Sequence, residues 1–360
     1  MKLPTTMKAM VTMGHGGIEQ MVFHTDWPRP EPTKGEVLIK VSACGLNNTD
    51  VNTRSGWYSK TVTDATTGGA FDEVGENDPT WGGAPITFPR IQGADVCGMI
   101  VDIGEGVDPA RIGERVITDG WLRDMNDPDN INKVGYFGSE RNGGFAEYTT
   151  IPASNALSIQ SDLSDAELAT FSCSYSTAEG MLTRARVMDT DTVLVPGASG
   201  GAGGALVQLA KRRKAKVIAL ASTEKHEDVL SLGADKVLPR SPENLRTKLI
   251  GEKINVVADV VGGNLWKDLI DIIERGGRYV CSGAIAGPIV GLDLRTLYLR
   301  DLTFFGSTVL DPQVTIDLVA YIEAGQIKPS LAATFPLRQL KEAQTAFIKK
   351  KHTGNIVVTT

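Results

Sequence analysis

The chain has 360 residues, enough for two domains with full-sized cores. Its 22% charged and 41% hydrophobic residues exclude a disordered chain. A net charge of −6 argues against a nucleic-acid surface, which needs clustered Lys and Arg.

The opening MKLPTTMKAMV holds no signal-peptide core, and no run of 18 apolar residues follows, so the expectation is a cytoplasmic protein without a membrane partner. In the first 155 residues, Val37, Ile39 and Val41 alternate with Lys40 and Ser42, predicting a half-buried strand. Further short strands are expected at 98–103 and 114–117, giving a mostly antiparallel, strand-rich domain. Two polar, glycine-rich stretches, 61–85 and 123–142, interrupt it and are expected to be flaps over a cleft. From about 157 to 308, apolar runs at 216–220, 236–238, 256–261, 278–281 and 302–305 alternate with helical stretches such as 224–232 and 264–274. That alternation predicts a doubly wound parallel sheet, an α/β fold. Beyond Pro312 come two helices and a strand at 355–358, with no core of their own, expected to pack back onto the first domain. Cys44, Cys97, Cys173 and Cys281 are scattered and suggest no disulfide framework.

The most informative stretch starts at Val193: VLVPGASGGAGGALVQLAKRRKAKVIALAS. An apolar strand feeds a glycine cluster, which opens a helix with Leu206, Val207, Leu209 and Ala210 on its apolar face. The turn lacks side chains where a pyrophosphate would approach, and the helix N-terminus supplies free N–H groups and a favourable dipole. Ser199, Gly200, Gly201, Ala202 and Gly203 are the expected phosphate cradle. Gly197, Ser199 and Gly201 also fit the G-x-S-x-G hydrolase elbow, with His352 available to a triad. The elbow has no use for Gly203 and Gly204, however, and no HGGG-like stretch lies upstream. An NAD site carries an acidic residue about 20 residues past the glycines. Here that position is Ala221 or Ser222. Ser222 can donate to a 2′-phosphate and Lys225 follows within reach, so NADPH is expected over NADH, although Glu224, Glu227 and Asp228 weigh the other way.

Several further motifs accompany this loop: GEVLIKVSACGLNNTDVNTRSGWY from Gly35, IQGADVCGMIVDIGEGV from Ile91, GERVI from Gly113 and GGFAEY from Gly143. DVVGG from Asp259, GGRYV from Gly276 and AQTAF from Ala343 complete the set. With them the chain resembles the medium-chain dehydrogenase/reductase superfamily, and within it the metal-free quinone oxidoreductase branch that includes zeta-crystallin and the enoyl reductases. The resemblance spans nearly the whole chain and departs at the two long loops. It implies a GroES-like β-rich catalytic domain (1–156 and 312–360), a Rossmann dinucleotide-binding domain (157–311), and a cleft between them for a nicotinamide.

At the catalytic zinc positions of the family stand Asn47, Ala94 and Cys173, with Asp95 in place of the usual Glu. One thiolate and one carboxylate fall short of three protein ligands, and His15, His24, His226 and His352 lie elsewhere in the sequence, so no metal is expected. The cysteine-rich lobe of a structural zinc is missing as well. The resemblance makes Tyr58 the proton donor and lets Asn47 point its amide into the vacated space. Asp50 is expected to be an architectural cap. Thr177, Gly262 and Ala284 would line the nicotinamide half of the groove, and Arg240 would add a phosphate contact. Asn355 stands where relatives carry Lys or Arg against the cofactor phosphates, a departure. Trp57, Tyr58, Trp81 and Trp121 could wall a small-molecule substrate. The implied activity is NADPH-dependent, metal-free reduction of an enone, enoyl thioester or quinone. A zinc-free or atypically liganded alcohol dehydrogenase and a non-catalytic NADPH-binding protein are the alternatives. The edge around LDLRTLYLRDLTFFGS implies a homodimer by analogy.

Overall fold

The computed structural model describes residues 3–67, 69, 85–124, 126–128, 130–241 and 243–360. Two large sheets organise them. The spine of the first is the strand Glu36–Gly45, in which Val37, Ile39 and Val41 are buried and Lys40 is exposed. On one side it pairs antiparallel with Asp95–Ile103, followed by Arg115–Thr118 and Ala156–Ser158. On the other, its first half pairs with Tyr148–Pro152 and its last three residues with Val357, Val358 and Thr359. The tail therefore packs back as expected. It also contributes a strand the sequence did not announce, Leu331–Pro336, parallel to Asn355–Thr359. As an edge strand with alternate residues exposed, LAATFP lacks a continuous apolar signal. One boundary needs correction. Leu157 and Ser158 pair with Arg115–Thr118, so the chain leaves this sheet after Ser158, and a cut between 156 and 157 would split a strand.

The second sheet has six parallel strands, ordered in space Lys236–Pro239, Lys216–Ala221, Thr192–Pro196, Ile254–Asp259, Ile273–Cys281, Thr303–Gly306. In chain order that is third, second, first, fourth, fifth, sixth, the doubly wound arrangement. Both faces are covered, which is why the strands read as unbroken apolar runs. Val193, Val195, Val217 and Ala219 join one core, whereas Leu194, Ile218 and Leu220 join the other. The order reverses between Thr192–Pro196 and Ile254–Asp259, and ligands of such sheets bind outside the strand ends there.

Trp121–Leu122 and Gly135–Tyr136 pair as a small hairpin, and the Tyr136 N–H donates to Glu140 Oε2 at 2.7 Å. Most of 61–85 lies outside the described residues, as does Trp81, so the flap expected there is not placed. Its described beginning does reach the second sheet's side, where the Thr66 N–H donates to the Ile285 carbonyl at 2.9 Å. The four cysteines are free, and among the described residues no helix is long and apolar enough to cross a membrane.

Candidate active site

Between the two sheets lies a cavity of about 450 Å³. The helix Gly201–Arg212 points its N-terminus into it, and no side chain caps that end. The first N–H groups of a helix have no partners within it, so an anion meets unpaired donors there. Gly203 must be bare, because a Cβ would sit 2.2 Å from the Gly197 carbonyl oxygen. A Cβ on Gly201 would meet Asn355 Oδ1 at 2.2 Å and Ser174 Oγ at 2.5 Å. These close approaches hold the turn, the helix start and Asn355 together, and the open helix end beside them would suit a dinucleotide's pyrophosphate. All five expected cradle residues line the cavity, as do Thr177, Ser222, Lys225, Arg240, Ala284, Tyr58 and Asn47.

Two of these expectations change. Gly262 is not among the lining residues. Its N–H donates to the buried Asp259 carboxylate, which also accepts from Val261 N–H and the Tyr279 hydroxyl. DVVGG is thus a turn knotted around Asp259, with Gly262 at φ 62° packed on Ala284. Lys225 is 7% exposed, and its Nζ donates to the carbonyls of Lys350 and His352 at 2.7 Å each. It fastens the C-terminal turn rather than standing open to a phosphate. Ser222 lies against Glu224, whose carboxyl it hydrogen-bonds, and Arg240 is exposed at the cavity rim.

The chemical end is built on the short helix Asn48–Ser55. Asp50 caps it, as expected, accepting from Asn47 N–H at 2.8 Å and from Gly93 N–H at 3.1 Å. Asp95 accepts from the Cys173 N–H at 3.0 Å and lies beside the Asn47 side chain. Burial pushes the Asp50 carboxyl up to about 7 and that of Asp95 up to about 8. For Asp95 the neighbouring Asp50 adds to the effect of burial. Burial, reinforced by Asp95, also raises the Cys173 thiol. Among the described residues no group of three His, Cys, Asp or Glu is arranged to hold a metal. One thiol and one carboxyl engaged with backbone fall short of the three protein ligands of a catalytic zinc.

What converges instead are neutral donors. Tyr58 is held by a hydrogen bond from Asn52, and burial raises its hydroxyl, so the phenol keeps its proton. The Asn47 amide lies against the Asp95 carboxyl at the cavity wall. Tyr136, from the hairpin, places its hydroxyl against Cys173 and its ring edge-on to Trp121 at 4.9 Å. Asn52 and Tyr136 both line the cavity and were not singled out from sequence. Of the expected aromatic wall, Trp57, Tyr58 and Trp121 are present.

Comparison with known proteins agrees. A family described as alcohol dehydrogenase GroES-like domain matches residues 33–161, and one described as zinc-binding dehydrogenase matches 201–324. The quinone oxidoreductase of Lama guanicoe is 30% identical over 94% of this chain and 92% of its own. The chain belongs to the medium-chain dehydrogenase/reductase superfamily. The acryloyl-coenzyme A reductase of Metallosphaera sedula is 28% identical over 98% of this chain and all of its own. A crystal structure from Sinorhizobium meliloti 1021, provisionally assigned as an alcohol dehydrogenase, is 46% identical, with TM-score 0.90, covering 99% of this chain and 97% of that one. Like its relatives, this medium-chain enzyme is an oxidoreductase that uses a nicotinamide dinucleotide, and it falls in the quinone oxidoreductase and enoyl reductase branch.

Proposed function

We propose that the enzyme reduces an activated double bond, in an enone, enoyl thioester or quinone, with NADPH and without a metal. The observation that carries this reading is one cavity whose walls hold both the open N-terminus of the glycine-loop helix and the donors Tyr58 and Asn47, with Cys173 the lone thiol at the metal position. The bound reduced nicotinamide supplies a hydride. As the β-carbon gains it, the electrons of the double bond move toward the carbonyl oxygen. The Asn47 amide, at the cavity wall beside the Asp95 carboxyl, has a second N–H to direct at that oxygen, in surroundings where a hydrogen bond to developing charge is strong. Tyr58, held by Asn52, gives a proton to the α-carbon, or to oxygen in a quinone. Alcohol oxidation is the weaker reading, because among the described residues no three His, Cys, Asp or Glu side chains are grouped to hold the Lewis acid that an alkoxide would need.

Preference for NADPH is supported by the absence of a carboxylate at Ala221 and Ser222, where the second strand ends, and by Arg240 at the rim. Purified enzyme should oxidise NADPH with crotonyl-CoA, 2-cyclohexenone or 1,4-benzoquinone. Its kcat/KM should be higher than with NADH and unchanged by chelator. Absence of turnover with all three acceptors would overturn the reading.

We further propose a homodimer through the edge strand Thr303–Gly306. Beside it Ile289, Leu294, Tyr298 and Leu299 are more than half exposed, a patch expected to seek cover. Sedimentation equilibrium should give two chains, and Leu294→Asp with Tyr298→Asp should give one.

A further inference from the structure

By the resemblance, position 355 would carry a cation toward the cofactor phosphates, and this chain has Asn355 there. Asn355 is buried, its Oδ1 accepting from Ser174 Oγ at 2.8 Å and packed against Gly201 at the start of the glycine-loop helix. Five residues upstream, Lys350 lines the same cavity. Its backbone sits at φ 50°, and its Nζ lies 3.5 Å over the Phe347 ring and donates to Asn48 Oδ1 at 2.9 Å. The turn that carries it is fastened at two carbonyls by Lys225, and the following Gly354 N–H donates to Ser199 O at 2.9 Å, joining the turn to the glycine loop.

We propose that Lys350 is the cation that binds a phosphate of the dinucleotide, taking the role vacated at position 355, and that Lys225 acts as a positioning residue for its turn. The inference rests on the nicotinamide reading of the cavity. Lys350 closes the helix Leu340–Ile348 with its N–H on the Phe347 carbonyl, on the turn that Gly354 bridges to the glycine loop, and its side chain lies along the cavity wall to reach Asn48. In the structure that amine lies against an aromatic face and a neutral amide, and among the described residues no carboxylate is paired to it. Burial and the neighbouring Lys225 push it down to about 7, and a phosphate beside it would favour its charged form. An ammonium serves here as a point charge, which suits a site where the helix N-terminus already supplies directed N–H donors.

The test is direct binding of NADH and NADPH to full-length protein, by calorimetry, for wild type and for Lys350→Met, Lys350→Arg and Lys350→Met with Asn355→Lys. Melting temperatures would show that each variant is folded. Lys350→Met should weaken binding about 10- to 100-fold, the loss of one charged hydrogen bond, while Lys350→Arg keeps most of the affinity. Equal losses for the two dinucleotides assign Lys350 to the pyrophosphate, and a loss for NADPH alone assigns it to the 2′-phosphate. Recovery by Asn355→Lys supports the exchange of roles, and its failure overturns that part. Unchanged affinity for both dinucleotides in Lys350→Met overturns the proposal. A wild type that favours NADH would refute the NADPH preference and leave both arms of the Lys350 test readable.

Discussion

Gly203→Ala should abolish dinucleotide binding, with no fluorescence quenching or calorimetric signal at cofactor concentrations at least 100-fold above those that saturate the wild type. The added methyl would lie 2.2 Å from the Gly197 carbonyl oxygen, 2.8 Å from its carbon and 2.9 Å from Ala198 Cα. All three are backbone atoms, so no side-chain rotation relieves the clash. The turn or the helix start must shift, and with it the N–H groups that face the phosphate. A shift of about 1 Å in such a site is enough to lose most of its function. Because the helix is otherwise well anchored, with Leu206, Val207 and Leu209 fully buried, the variant should remain folded by circular dichroism. Cofactor binding at wild-type strength would show that the cradle is not the phosphate site.

The second large effect is expected at Tyr58. Tyr58→Phe should lower kcat about 10²- to 10⁴-fold, the usual worth of a positioned general acid, and leave the KM of the acceptor and the affinity for cofactor nearly unchanged. The ring remains in place, edge-on to Trp57 at 5.6 Å, so the cavity keeps its shape. Asn52→Leu should reproduce part of the loss without touching the phenol, since Asn52 holds the hydroxyl in position. If Tyr58→Phe retains full turnover, the proton comes from another group, and Tyr136, the second phenol in the cavity, becomes the next residue to test.

The parts of this site that sequence revealed are those whose chemistry is local. The glycine cluster, its strand and its helix lie within thirty consecutive positions, and their periods of two and 3.6 are unmistakable. Asp50 read correctly as a cap because its partner, Asn47, is three residues away. The partners that sequence did not reveal are non-local. Lys225 stands close to Ser222 in sequence and looks like a phosphate ligand, yet its acceptors lie 125 and 127 residues downstream. Gly262 belongs to a motif of the family, but what it satisfies is the carboxylate of Asp259, buried beneath the cavity wall. Tyr136 was invisible because it sits in a two-residue strand whose partner, Trp121, lies across a polar stretch with no periodicity. Ala94 and Asp95 could be placed at the zinc positions only through the resemblance. The structure adds the reason that the pair Asp95 and Cys173 is unsuited to the ion, since Asp95 is engaged with the Cys173 backbone and Asn47.

The return of the tail to Glu36–Gly45 has a consequence for how the molecule is made. The six parallel strands are complete once Gly306 has been synthesised, so a growing chain can close the nucleotide half while its C-terminal fifty residues are still unmade. The other half must wait: Ala43, Cys44 and Gly45, among the earliest residues translated, find their last partners in Thr359, Val358 and Val357. Until Val357–Thr359 arrive, that edge is an open template beside the nucleotide half, and the catalytic chamber is not yet enclosed.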